Sequence, residues 1–187
     1  AGYFANNGSN ITIEHGGNWD LTQSVTINMW IRSDGIDEDW ETLFYDEGMG
    51  ALVIDNENRV SYEYNDFNNI YESSEANVLQ RNGQWEMITM RINFNDALSL
   101  FVNGQTVYND TSALSMSRFI GGIASIGSVT GTKTFNGAMD DVRIYNDFLA
   151  DQEIFEIYEN EVQVGAGSLR AYYPWSQDAL DYSGNGY

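Results

Sequence analysis

This chain lacks several types of reactive side chain, and their absence limits the chemistry that it can perform. It has no cysteine and a single histidine, His15, in 187 residues. Disulfides, thiolate zinc sites, iron–sulfur clusters and cysteine nucleophiles are therefore excluded. His15 stands beside Gly16-Gly17 without the Ser and Asp arrangement of a catalytic triad, so we expect it in an exposed loop. Oxygen atoms of Asp, Asn and Gly-rich turns remain in quantity, and these are the ligands of a hard cation such as calcium.

Aromatic side chains with Asp, Asn and Glu neighbours are the second group of candidate site residues. A flat ring can stack on a pyranose while adjacent polar groups bond the sugar hydroxyls, although such rings can equally plug the end of a β-sandwich. Trp30, Trp85 and Trp175 fall on predicted strands, which makes them core or sheet-face residues. The candidates for ligand binding lie in or beside predicted loops: Trp19, Trp40, Phe67 and Tyr71.

The charge balance limits the classes of partner. Lys and Arg number 8 against 28 Asp and Glu, which gives a formal net charge of −20. A field of this sign repels phosphate backbones and anionic lipid headgroups, so we expect no nucleic acid partner. No segment approaches the roughly 18 apolar residues of a membrane span, so we expect no membrane insertion. General solubility is an alternative reason for the acidic surface.

Alternating runs bounded by Gly, Asn and Asp predict an antiparallel β-protein. In Ser24 to Arg32, Val25, Ile27, Met29 and Ile31 share one face, which is the pattern of a half-buried strand. Further strands are predicted at 42–45, 51–55, 59–65, 85–94, 97–102, 106–108, 125–127, 137–145 and 169–175.

One segment has helical spacing instead. In Asp151 to Asn160, Ile154, Ile157 and Tyr158 recur behind acidic residues that suit a helix N-terminus. Regularly spaced strands with one short helix predict an all-β, two-sheet antiparallel sandwich.

Several segments together resemble one family. The run from Phe135 to Asn146 (FNGAMDDVRIYN), followed by Leu149 and Glu153-Ile154, is similar to the closing signature of laminin-G-like jelly-roll domains of the concanavalin A-like lectin and glucanase superfamily. Trp85 followed by Leu100 to Gly104 (LFVNG) resembles the middle hairpin of that family, and Val25 to Ile31 (VTINMWI) its early strand. The resemblance implies a jelly-roll fold.

The order of the segments departs from that family in one place. Leu169 to Trp175 and the loop Asp181 to Gly186 (DYSGNG) resemble the opening strand and loop of the family, yet they stand at the C-terminus. A circular permutation, a truncated tandem copy and a domain split by an insertion are the three explanations. Because a domain without its opening strand would leave an unpaired sheet edge, we expect residues 1–187 to form a single domain in which 169–187 supply that strand and loop.

The resemblance also implies a calcium site that joins the start of the strand predicted at 137–145 to the loop from Asp181 to Gly186. Asp140 shares strand parity with Val142 and Ile144, so simple alternation directs its carboxylate inward, where a charge needs a partner. The implied metal ligands are Asp140, Asp181, Asn185, Asn6 and Gly8. The alternative is structural: Asp181 forms an Asx turn and Asp140 caps backbone amides.

Catalysis is not expected. Glucanases of the resembled superfamily carry Glu, Asp and Glu at alternate strand positions, and this chain has no such triplet. Glu63, flanked by Tyr62 and Tyr64, is the only strand carboxylate between aromatic residues, and lone strand acids usually face solvent.

The predicted function is a non-catalytic, calcium-binding extracellular recognition module of a larger adhesin or secreted protein. Its partners would be a carbohydrate or glycosylated surface and neighbouring domains of the same polypeptide, and its location secreted or on the cell surface, in a bacterium. The alternative is a calcium-rigidified spacer or scaffold domain that presents an inserted or neighbouring domain.

Overall fold

A computed structural model describes residues 1–4, 8–17, 19, 23–35, 39–63, 70–93, 97–111, 122–129, 131–160, 164–165, 167–175, 178 and 180–186. These residues form two antiparallel sheets and one helix, α1 (Asp151–Asn160). No helix within these ranges is long and apolar enough to cross a membrane. The predicted all-β jelly-roll sandwich with one short helix is confirmed.

Each sheet follows a simple path of hydrogen-bonded neighbours. The six-stranded sheet runs in the order β2 (Ile11–Glu14), β11 (Ile123–Ile126), β4 (Trp40–Asp46), β5 (Gly50–Asp55), β6 (Val60–Glu63) and β7 (Ile70–Ser73). The seven-stranded sheet runs in the order β1 (Gly2–Phe4), β12 (Gly137–Tyr145), β3 (Ser24–Ser33), β8 (Glu86–Asn93), β9 (Ala97–Val102) and β10 (Gln105–Asp110), with β13 (Leu169–Tyr173) also paired to β12.

The main core lies between the two sheets. Val25, Ile27, Met29 and Ile31 of β3 all point into it, as their alternation predicts, and they are at most 1% exposed. The opposite face of β3 was predicted to meet solvent, yet Thr26 and Asn28 are also fully buried.

Helix α1 and the loop before it cover part of that second face, and Thr26 is hydrogen-bonded to Asp147 and Leu149 of this loop. Ile154 and Ile157 of the helix pack against Met87, Phe101 and Tyr145 on the outer side of the seven-stranded sheet. Burial there raises the pKa of the Tyr145 phenol to about 12. The molecule therefore has three layers, helix on sheet on sheet, rather than a sandwich with two free faces.

Turn chemistry sets the hairpin between β9 and β10. Asn103 and Gly104 have φ angles of 51° and 73°, the left-handed pair that a primed two-residue turn requires. The dipeptide Asn-Gly favours this turn, because both residues adopt positive φ at low cost.

Strand β12 carries a β-bulge in its middle. Asp140 lies opposite Trp30 of β3 and Arg143 lies opposite Asn28, so three steps along β12 match two steps along β3. The extra residue is accommodated by Asp141, whose φ is 50°. As a result Met139 and Val142 both face the core, although their spacing breaks the alternation.

Two short strands share the free edge of β12. β1 pairs with residues 137–139 and β13 with residues 142–145, so they lie end to end on either side of the bulge. The nitrogen of Ala1 donates a 2.9 Å hydrogen bond to the carbonyl oxygen of Trp175, which joins the two segments. The assignment of 1–187 to one rearranged domain stays a prediction.

A buried ion pair ties the two sheets together at one end. The guanidinium of Arg81 pairs with the carboxylate of Glu41 in β4, and both side chains are at most 2% exposed. Arg81 also donates to Ser33 Oγ at 3.0 Å, to the carbonyl of Gly35 at 2.7 Å and to that of Asp55 at 3.3 Å. One side chain thus connects the end of β3 to β4 and β5.

Replacement of this arginine tests its structural role. Arg81→Met leaves the Glu41 carboxylate buried without its partner, so we expect the free energy of unfolding to fall by about 3 to 5 kcal/mol. Urea denaturation followed by tryptophan fluorescence measures the loss. As a control, Asp34→Asn removes an exposed ion pair with Arg32 and should cost less than about 1 kcal/mol. Equal effects of the two substitutions would contradict the assignment.

Candidate functional site

Asp140 does not point into the core, and the prediction that strand alternation buries it is wrong. The bulge in β12 reverses the facing of the residues before it, because one inserted residue shifts the alternation by one position. The Asp140 side chain lies on the outer face of the seven-stranded sheet, opposite Trp30, and is 33% exposed.

Asp181 organises the loop after β13. Its Oδ1 accepts hydrogen bonds from the backbone N–H groups of Tyr172 and Ser183, each at 2.9 Å. Its Oδ2 accepts from Ser183 Oγ at 2.8 Å and from the Gly186 N–H at 3.0 Å. The Asn185 amide donates to the carbonyl oxygens of Leu169 and Arg170 at 3.1 and 2.8 Å. This is the Asx-turn arrangement that the sequence left open as the alternative.

These contacts test whether the loop fits a calcium ion. A carboxylate has about four lone-pair positions, and four donors already face those of Asp181. Within the described residues no group of three or more His, Asp or Glu could hold a metal. Gly8 has a φ of 85° and lies near Gly131, while Asn6 is outside the described residues. The described residues do not fit the implied ion, and calcium stays a prediction of the resemblance.

Trp19 and His15 form a buried stack, which overturns two predictions. Trp19 has no exposed surface, so it cannot contact a ligand. The centroid of its ring lies 4.2 Å from that of His15, and the two ring planes make an angle of 9°. His15 is 4% exposed rather than in an exposed loop. Its Nε2 lies 2.8 Å from Asp46 Oδ2 and its Nδ1 accepts from the Gly17 N–H at 3.2 Å. These contacts fit the neutral tautomer with the proton on Nε2.

The other three predicted ligand-binding aromatics are only partly described. Trp40 is half-buried at the start of β4, and the ammonium of Lys133, the single lysine of the chain, lies 5.9 Å from its ring centroid. The same ammonium lies 3.6 Å from Glu63 Oε2. Glu63 is 1% exposed, in contrast to the solvent-facing position expected for it. Phe67 and the side chain of Tyr71 lie outside the described residues.

A cleft on the outer face of the seven-stranded sheet combines aromatic and acidic side chains. It has a volume of about 220 Å³ and is lined by Trp30, Trp85, Asp140 and Asp141. We call these four residues the Trp30–Trp85 cleft. It lies at the bulge of β12, where β1 and β13 meet.

Each indole of the cleft is held by a neighbour on one side. Tyr158 of α1 stacks on Trp30 at 5.8 Å, and the Arg32 guanidinium lies 5.6 Å from the centroid of Trp85. Trp85 keeps 37% of its surface exposed. The cleft therefore presents a rigid aromatic wall, because both rings are fixed by contacts outside it.

The carboxylates form the other wall. Asp141 accepts a 2.7 Å hydrogen bond from the Tyr172 hydroxyl, and its Oδ2 lies 3.5 Å from Arg143 Nη2. Burial, and next the hydrogen bond to Asp141, raise the pKa of the Tyr172 phenol, so the phenol remains a donor. Asp140 Oδ1 accepts from the Asp141 N–H at 3.0 Å. Contacts behind the cleft thus fix the direction of both carboxylates.

Sequence reasoning missed this combination. Strand parity directed Asp140 inward, and Trp30 and Trp85 were interpreted as core or sheet-face residues. The available signal was the pair Asp140-Asp141, since strict alternation would direct one of two consecutive carboxylates into the core, where a charge is unfavourable.

Comparison with known proteins gives a family match. The model of the concanavalin A-like lectin/glucanases superfamily, in its laminin-G branch, matches residues 5–155. A search of curated proteins finds no match.

Solved structures with the same fold have low sequence identity. A candidate carbohydrate binding protein from Bacteroides ovatus is 18% identical with a TM-score of 0.62, over 87% of this chain and 50% of that chain. The receptor binding domain of a botulinum neurotoxin mosaic serotype C/D is 17% identical with a TM-score of 0.67, over 84% and 41%. Domain 4 of AbnA, an extracellular arabinanase from Geobacillus stearothermophilus in complex with arabinotriose, is 16% identical with a TM-score of 0.61, over 82% and 74%. The matched region spans half or less of the first two chains.

The free energy of unfolding should distinguish Trp19, which lies in the core, from Trp85, which lies in the cleft. Trp19→Ala opens a cavity beside His15 and should lower the free energy of unfolding by about 3 to 5 kcal/mol. Trp85→Ala removes a partly exposed ring and should cost less than about 1.5 kcal/mol. Parallel urea titrations compare the two variants, and a smaller loss for Trp19→Ala would show that its burial is wrong.

Chelation tests calcium. The resemblance predicts that EDTA lowers the melting temperature, because a ligand of the folded state stabilises it. The saturated Asp181 carboxylate predicts no change, and we expect that result in differential scanning fluorimetry. A fall in melting temperature that added calcium reverses would restore the calcium site, and Asp181→Asn would then show whether this loop holds it.

Proposed function

The chain belongs to the concanavalin A-like lectin/glucanases superfamily, and we propose that it is a carbohydrate-binding module whose ligand site is the Trp30–Trp85 cleft. The observation that carries the proposal is the pairing of two fixed indoles with two oriented carboxylates in one cavity. Indole faces stack on the apolar faces of sugar rings, and carboxylates accept hydrogen bonds from hydroxyl groups.

The size of the cleft indicates how much of a glycan it holds. Its volume of about 220 Å³ is below the roughly 300 to 1,000 Å³ of pockets for drug-sized ligands. A single sugar residue at the end or along the side of a chain fits this scale. Affinity for one residue is weak, so strong attachment would need several copies of the module or several contacts.

The comparisons support a binding role over a catalytic one. Among the similar folds are a candidate carbohydrate binding protein and an arabinanase domain in complex with arabinotriose. Asp140 and Asp141 are adjacent on one wall of the cleft, whereas glycoside hydrolysis uses two carboxyl groups that flank the bond to be broken. We therefore propose that the module does not cleave its ligand.

The proposal extends to the setting of the module. The chain covers 50% of the Bacteroides ovatus protein and 41% of the neurotoxin domain, which supports one module within a larger protein. The absence of cysteine and the net charge of −20 favour an exported bacterial protein, such as an adhesin or a secreted protein. Its partners are then a glycosylated surface and neighbouring domains.

A spacer or scaffold domain is the second candidate. It is favoured by the position of β1 and β13, which lie end to end on the same edge of β12. A neighbouring domain joined through β1 or through β13 would therefore lie close to the bulge of β12 in either case. A scaffold needs no glycan, so the two candidates differ in binding.

The binding test uses one aromatic in the cleft and one outside it. A glycan array identifies a ligand, and NMR titration then measures its dissociation constant. Trp85→Ala should weaken binding by about tenfold or more, because a few aromatic residues dominate most binding sites. Phe155→Ala removes a ring of α1 that is 43% exposed and should leave affinity unchanged. Absence of any glycan ligand at millimolar concentration would reject this function in favour of the scaffold.

A further inference from the structure

We propose that the Trp30–Trp85 cleft selects sugar residues that carry a protonated amine, the class of de-N-acetylated amino sugars, over neutral sugars. The inference rests on the proposed carbohydrate-binding function and narrows its ligand. It follows from the hydrogen-bonding character, the aromatic walls and the charge of the cleft.

The polar groups of the cleft are almost entirely acceptors. Among the described residues that line it, Asp140 and Asp141 are the ones with polar side chains besides the indole N–H groups. Each carboxylate offers about four lone-pair positions. Asp141 faces Tyr172 and Arg143, and Asp140 faces the Asp141 N–H and the Ala1 ammonium, so each carboxylate keeps about two positions for a ligand. In contrast, four donors already face Asp181.

An ammonium group matches this lining better than a hydroxyl group does. It has three donors and no acceptor, whereas a hydroxyl also presents lone pairs that would face carboxylate oxygens. The ammonium of Ala1 forms an ion pair with Asp140 Oδ2 at 3.3 Å, so a ligand amine would take the place of a group of the same kind. A charged donor also forms the shorter and stronger class of hydrogen bond with a carboxylate.

The aromatic walls favour a cation as well. An ammonium group over an indole face is attracted by the ring quadrupole. The Arg32 guanidinium already makes this interaction over one face of Trp85, 5.6 Å from the ring centroid. Trp30 contributes a second indole to the lining.

The charges near the cleft are paired, and the acidity that a ligand meets is that of the chain as a whole. The Ala1 ammonium lies 3.3 Å from Asp140 Oδ2, and Arg143, which is 2% exposed, lies 3.5 Å from Asp141 Oδ2. Arg32 lies 4.0 Å from Asp34. The whole chain, with these groups included, carries −20. A cationic ligand is therefore attracted at long range, and on arrival it competes with the Ala1 ammonium for Asp140.

Three trisaccharides that differ only at C2 give the direct test. Cellotriose, tri-N-acetylchitotriose and chitotriose share their linkage and carry hydroxyl, acetamido and ammonium groups there. We expect the chitotriose dissociation constant, measured by NMR titration at mildly acidic pH, to be about fivefold or more below the other two, which corresponds to one exposed cation–π contact. Added salt should reduce this preference, since it screens exposed charges.

A matched pair of charge variants locates the effect. Asp140→Asn keeps the shape of the side chain and removes its charge, so it should weaken chitotriose binding more than cellotriose binding and thereby abolish the preference between them. Glu75→Gln removes the same charge from an exposed residue that follows β7 in the other sheet and should leave the preference intact. Equal loss in both variants would assign the preference to net charge and overturn the inference.

The remaining outcomes separate this inference from the proposed function. Equal affinity for all three trisaccharides overturns the amine preference and leaves the carbohydrate-binding function in place. Binding of none of the three overturns the amine preference, and the glycan array then decides whether the module binds any carbohydrate. Ethanolamine, an amine without a sugar ring, serves as the last probe: if it binds as tightly as chitotriose, the site recognises ammonium alone and the amino-sugar assignment is wrong.

Discussion

The structure depends on how strand β12 is paired. On one side it has β3 along most of its length, and on the other it has two short strands, β1 and β13, that meet end to end. The β-bulge at Asp140 and Asp141 lies where these two strands meet. It keeps Met139 and Val142 in the core on either side of the joint, and it turns two carboxylates to the outer face. Core packing and the candidate ligand site therefore share one backbone irregularity.

Three of the described cationic side chains of this acidic protein are buried. Arg81, Arg91 and Arg143 are at most 9% exposed, and each contacts a carboxylate: Glu41, Asp151 and Asp141 respectively. A buried charge is tolerated only with such partners. The consequence for function is that these three positive charges are shielded from solvent, which adds to the acidic character that the net charge of −20 gives the surface. An electronegative surface then steers cationic groups toward the molecule.

Helix α1 gives the outer face its shape. It packs against Met87, Phe101 and Tyr145 of the seven-stranded sheet and leaves Trp30 half-buried, stacked on Tyr158. The helix covers one part of the outer sheet face and leaves the adjacent part open. The Trp30–Trp85 cleft lies at the boundary between these two parts, and concave sites of this kind bind small ligands.

The sequence by itself determined most of the strands, the helix from Asp151 to Asn160 and the two-sheet sandwich, because hydrophobic periodicity and turn residues such as Asn103-Gly104 act within a few residues of one another. The short strands β1, β2 and β7 were not predicted, and the jelly roll was implied by the family resemblance. It could not determine where Asp140, His15 and Trp19 lie. An inserted residue in β12 reverses the facing of Asp140, and only the pairing with β3 reveals the insertion. His15 is buried because Asp46 and Trp19 come from separate segments to meet it. The positions of site residues were decided by contacts between distant segments, which local pattern does not encode, and these contacts exist only once both sheets and the helix are packed together.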